Sequence, residues 1–66
     1  MTANYKYNDD YLEVDYDYFT FKNDYGNKDF EFQINHIWDG DNDLIHDAEL
    51  RYNVEEFICE RIREDI

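Results

Sequence analysis

The run DGDND places Asp39, Asp41 and Asp43 at alternate positions, the spacing of the first ligands in a calcium-binding loop. An EF-hand loop needs glycine at its sixth position and a bidentate glutamate at its twelfth. Leu44 and Leu50 stand there instead, and no helix precedes the loop. DGDND therefore reads as an exposed polar turn. His36, His46 and Cys59 are the remaining metal-ligating side chains, and their separations match no zinc pattern. Nothing beside Cys59 marks it as an activated nucleophile. Carboxylates are so numerous that no catalytic pair stands out. The residues call for no metal and no cofactor, and the chain is not expected to be an enzyme.

Two rows of acids carry the remaining signal. In YLEVDYDYF, Leu12, Val14, Tyr16 and Tyr18 alternate with Glu13, Asp15 and Asp17. On a strand, alternate residues share a face about 6.6 Å apart, twice the ~3.3 Å rise. Along one DNA strand the charges rise ~3.4 Å per nucleotide, so an acidic strand can imitate a stretch of phosphates. Glu56, Glu60 and Glu64 form a second row at helical spacing, about 6 Å apart at 1.5 Å per residue. Glu49 and the Asp39, Asp41 and Asp43 loop would extend the field between the rows. The bland alternative is a solvated outer face.

The elements that position these rows follow from periodicity. Residues 11–22 and 29–37 alternate as strands, and Gly26-Asn27 between them suits a hairpin turn. Pairing outward from that turn sets Lys22 opposite Glu31, Phe21 opposite Phe32 and Phe19 opposite Ile34. Phe19 and Phe21 are odd, whereas Leu12, Val14 and Tyr16 are even. The reading therefore expects a bulge near Tyr18 that returns both sets to one face. DAELRY alternates as a third strand over 47–52, with a longer helix from near Asp43 as the competing assignment. Asn53 would then cap a helix over 54–64, with Val54, Phe57, Ile58, Arg61 and Ile62 in its stripe. The fold class expected is α+β: a small three-stranded antiparallel sheet with one C-terminal helix packed on it.

Composition bounds the rest. Sixty-six residues make one small domain, 1–66, and residues 1–10 read as a flexible lead-in. The net charge of −12 comes from 18 acids against 6 bases. It opposes direct binding to nucleic acid or to a membrane surface. Aromatic residues make up 20% of the chain, which sets it apart from disordered acidic tails. The opening MTANYKYNDD lacks the basic-then-apolar order of a signal peptide, no apolar run reaches membrane length, and Cys59 is unpaired. A cytoplasmic protein is the expectation. Solubility alone asks for a net charge of only ~2–8 with both signs interspersed.

In size, acidity, aromatic content and the absence of Pro or Cys pairs, the whole chain resembles small acidic phage-encoded DNA-mimic inhibitors. The resemblance implies blocking: occupation of the DNA site of a basic host protein in the host cytoplasm. The targets it implies are a histone-like nucleoid protein, a restriction or CRISPR nuclease, or RNA polymerase. Glu13, Asp15, Asp17, the aspartate loop, Glu49 and the helix row are the candidate phosphate-mimicking residues. A homodimer would cover strand edges and lengthen the acidic track. The other readings are an acidic adaptor that binds a partner through its aromatic surface, and a weak cation-binding or structural protein.

Overall fold

Asp10–Lys22 is a single strand, β2, in the computed structural model, which describes residues 1–66, although its apolar residues change parity at Phe19. Leu12, Val14 and Tyr16 are buried from one side of it, while Glu13 and Asp17 are exposed on the other. Three further strands complete the sheet. They are β1 (Thr2–Tyr7), β3 (Lys28–Asp39) and the two-residue β4 (Asn42–Asp43). The order is β1-β2-β3-β4 with every pair antiparallel, and one helix, α1 (Ala48–Asp65), follows. The fold is α+β as expected, but with four strands rather than three.

β1 occupies the segment read as a flexible lead-in. It joins β2 through a two-residue turn at Asn8-Asp9, with Asn8 at φ 56°. Asn tolerates that left-handed conformation because its short polar side chain can bond locally. Ala3 is buried, and the Tyr5 ring meets Phe57 edge-on at 5.2 Å.

The β2–β3 turn differs from one at Gly26-Asn27, and the register shifts by three residues. Gly26 N–H donates to the Asn23 carbonyl, and Asn23 N–H donates to that of Asn27. Gly26 takes φ 78°, so Asp24–Gly26 is a three-residue loop closed by a left-handed glycine. The Asn23 side chain accepts from Tyr25 N and Asn27 N, which locks the loop. The resulting register pairs Lys22 with Lys28, Phe21 with Asp29 and Phe19 with Glu31. Each expected pairing is thus corrected by an odd step, which exchanges the faces of the sheet.

The bulge also moves. β2 runs without a break past Tyr18, and the register shifts between Asp15 and Tyr16, where Asp15 pairs with His36 but Tyr16 with Ile34. Asn35 on β3 is the extra residue. It lets Ile34 and Ile37, three apart, both face the core. Phe19 and Phe21 therefore stay on the acidic face with Asp17.

Residues 47–52 are not a strand. Asp47 caps α1, its Oδ1 accepting from Leu50 N at 3.2 Å, and Asn53 lies inside the helix. Leu50 begins the stripe that Val54, Ile58 and Ile62 continue at four-residue spacing, and all four are buried. At 1.5 Å per residue, α1 spans about 27 Å. It covers the inner face of the sheet, where Ala3, Leu12, Val14, Tyr16, Ile34 and Ile37 complete the core.

Candidate functional site

The outer face of the sheet, turned away from α1, is built by β2 and its neighbours. Glu13 lies between Asn4 and Trp38, and Asp15 between Thr2 and His36. Asp17 accepts from Asn35 Nδ2 at 2.9 Å, so the bulge residue orients the last acid of the ladder. The ladder then runs into Phe19 and Phe21, whose rings are 6.0 Å apart and 59% and 38% exposed. Opposite them on β3 stand Glu31 and Asp29. Cross-strand partners share a face, so acids flank the two phenylalanines.

Acids predominate on this face. Side-chain alternation puts one lysine there, Lys6 of β1, against Glu13, Asp15, Asp17, Asp29, Glu31 and Asp43. Two further basic groups join it: the Met1 ammonium, 4.0 Å from both Asp15 and Asp17, and His36, bonded to Asp43. Lys22 and Lys28, paired with each other, point to the inner face. The segregation follows from register alone. An odd slip of either strand would bring its lysine outward.

Asp43 is not free to act as a phosphate. Its Oδ2 accepts from His36 Nδ1 at 2.7 Å, and its Oδ1 accepts from Ile37 N and Ile45 N. The His36 hydrogen bond chiefly, helped by those amides and the histidine charge, holds the Asp43 carboxyl below its ordinary 3.8 against a smaller effect of desolvation. His36 in turn stacks on Trp38 at 4.9 Å. These contacts pin the end of β3 and launch the turn into α1. Asp39, the last residue of β3, and Asp41, on the two-residue turn Gly40-Asp41 into β4, remain exposed, and Gly40 supplies φ 59°. No three His, Cys, Asp or Glu side chains are grouped to hold a metal ion.

The two acidic rows do not form one field. Glu56, Glu60 and Glu64 lie two residues beyond Val54, Ile58 and Ile62, about 200° around a helix of 3.6 residues per turn. They are exposed and point away from the sheet. Helix and sheet thus separate them from the ladder, while the aspartate loop meets the ladder's face through Asp43, which pairs with Trp38 beside Glu13. Glu49 is exposed in the first turn of α1. The helix surface is also mixed, with Arg51, Arg61 and Arg63 exposed among its acids and Arg51 Nε 3.1 Å from Glu55. Glu56 has a neighbour of its own: as hydrogen-bond acceptor first and as a charge second, it raises the Tyr52 phenol above its ordinary 10.0.

Sequence reasoning missed Asp29, Glu31, Phe19 and Phe21 as members of the acidic face. Their parity with Asp17 carried the signal, and the assumed bulge near Tyr18 hid it. No family model, curated protein or solved structure matches the chain. No helix is long and apolar enough to cross a membrane.

Proposed function

We propose that this chain is a non-enzymatic DNA mimic that presents the outer face of its sheet to a basic DNA-binding protein and keeps DNA away. The observation that carries the reading is the segregation of sign. Six acids face one way, Asp43 among them held by His36. Against them stand one lysine and the Met1 ammonium beside Asp15 and Asp17, although the chain has lysines to spare on the other side. Solvation of an outer face does not ask for that separation. In mechanism, Glu13, Asp15 and Asp17 take the places of successive phosphates opposite Lys and Arg of the target. Glu31 and Asp29 provide a second column one strand away. Steering by the summed field speeds encounter, and affinity falls as salt rises. The host targets are a histone-like nucleoid protein, RNA polymerase or a restriction or CRISPR nuclease, in line with the resemblance to phage-encoded inhibitors.

The test is displacement of labelled duplex DNA from each of these three targets by the intact chain, repeated across a salt series. Release from at least one of them, lost at high salt and lost in the triple variant E13K/D15K/D17K, is the expected result. If none of the three releases its DNA, the reading falls.

A second reading has its own support, because Phe19 and Phe21 are exposed on the same face. An aromatic-anchored adaptor would keep its partner in E13K/D15K/D17K and lose it in F19S/F21S. The mimic behaves the other way round.

A further inference from the structure

The hairpin of β2 and β3 extends along most of the 41 Å length of the molecule, and its outer half lacks strand neighbours. β1 pairs with β2 only over Asp10–Asp15, and β4 pairs with β3 only at Trp38 and Asp39. Two edges are therefore open, Asp17–Lys22 on β2 and Lys28–His36 on β3.

They are not equivalent. The β3 edge alternates Asp29 and Glu31 with its apolar residues, and charges of this kind guard an edge against pairing. Phe30 N–H is also occupied locally, donating to Asp29 Oδ1 at 2.8 Å. The β2 edge reads YFTFK, four uncharged residues with high strand propensity and then one lysine. Two of its side chains, Phe19 and Phe21, are exposed, and they are the two phenylalanines of the protein left so.

Backbone geometry fixes which groups are free on that edge. Asn23 N–H bonds to Asn27 of β3, whereas Tyr16 N–H bonds to the Met1 carbonyl on the other side. By alternation, odd residues of β2 serve β3, and Tyr18, Thr20 and Lys22 direct their N–H and C=O groups outward. Pairing Thr20 with Thr20 of a second antiparallel copy sets Tyr18 opposite Lys22 in both directions. All three outward residues of each chain are then hydrogen-bonded. Phe19 falls opposite Phe21 of the other copy in the closer, non-hydrogen-bonded sites, where aromatic pairs gain most. No like charges face each other, and Asp17 meets Asn23. Shifting by two residues either way leaves one outward residue unpaired and replaces both Phe19–Phe21 pairs.

We infer that the β2 edge, Tyr18–Lys22, is a docking site for a second copy of this chain, paired about a two-fold axis through Thr20. The axis stands perpendicular to the sheet, so the outer faces of both copies merge. Four phenylalanines lie at the centre, with a Glu13-Asp15-Asp17 ladder on either side. The interface is at the low end of the size classes and each copy carries −12, so association is weak at low salt and strengthens as salt screens the repulsion.

Sedimentation equilibrium of the intact chain, with no other protein present, tests this at up to about 1 mM in low and high salt. A monomer–dimer equilibrium favoured by salt is expected. Thr20 is exposed, so T20K and T20E leave the monomer folded. Each places like charges on the axis and weakens the dimer about fivefold. An equimolar mixture of T20K and T20E restores association, because opposite charges then meet at position 20. A chain that stays monomeric throughout overturns the inference, as does a dimer indifferent to T20K or a mixture no tighter than either variant alone. The readout involves no basic target, so it fails or succeeds separately from DNA mimicry.

Discussion

Asp43 Oδ2 accepts a hydrogen bond from His36 Nδ1 at 2.7 Å, tying the two-residue strand β4 to β3 across the turn at Gly40-Asp41. The same carboxylate holds Ile37 N and Ile45 N through its other oxygen. One of the ten acids expected to imitate phosphate is thus a structural acid. Its removal is felt in stability, and the pH dependence follows from the sign of its pKa shift.

The folded pKa of Asp43 lies below the ordinary 3.8, so its contribution to stability is complete above that value. The contribution is lost as pH falls below 3.8 through the folded value. Urea midpoints of the native chain and of Asp43→Asn should differ at pH 7 and converge in strong acid. A constant difference across that range would show that the carboxylate charge is irrelevant to folding.

The start of α1 is set by Asp47. Asp47→Ala removes the acceptor for Leu50 N and should cost about 0.5–2 kcal/mol, the usual loss for a helix cap. Asn53→Ala, inside the helix and exposed, should be neutral or slightly stabilising. Paired thermal melts would check this, and equal losses from the two variants would contradict the observed cap.

Separation of the acidic rows predicts a one-sided response to charge reversal. E56K/E60K/E64K should leave the affinity for a basic target within about twofold, since those side chains face away from the ladder. E13K/D15K/D17K should abolish binding. A titration of both variants against the same target at one salt concentration distinguishes the faces, and the opposite ranking would move the contact to the helix.

The core is small enough for one cavity to matter. Ile58 is fully buried, and truncation to Ala at such a site costs about 2–5 kcal/mol. At about 0.05–0.15 kcal/mol per residue, a domain of this length has roughly 3–10 kcal/mol in all. Self-repulsion at a net charge of −12 sets this one toward the low end. Ile58→Ala should therefore be largely unfolded at room temperature by circular dichroism. A cooperative melt close to that of the native chain would show a more tolerant core.

Much of this fold is written in periodicity. Strict alternation over Leu12, Val14 and Tyr16 specified β2 and its wet face, because a strand turns each successive side chain over. The four-residue stripe through Val54, Ile58 and Ile62 specified the helix in the same way. Other segments were ambiguous locally. Ala48, Leu50 and Tyr52 alternate like a strand, yet Leu50 also extends the helical stripe, and burial against the sheet decided for helix. TANYKY alternates Ala3, Tyr5 and Tyr7 with Thr2, Asn4 and Lys6, a short and weakly apolar pattern that became a strand because β2 offered it an edge.

Faces were the part that local pattern could not decide. NDYGNK accommodates either a turn at Gly26-Asn27 or the observed loop at Asp24–Gly26, and the two differ by an odd step in register. That step determines whether Phe19 and Phe21 join the core or the acids, and whether Lys22 and Lys28 dilute the acidic face. INHI contains its own slip, Ile34 and Ile37 three apart, but only a helix packed on one side gives both a reason to point inward. The sequence by itself determined that the chain carries rows of acid at strand and helix spacing. Tertiary structure decided that the rows lie on opposite sides and that the ladder shares its face with two phenylalanines. The physical reason is that side-chain direction in a strand depends on register, and register is a property of the whole sheet.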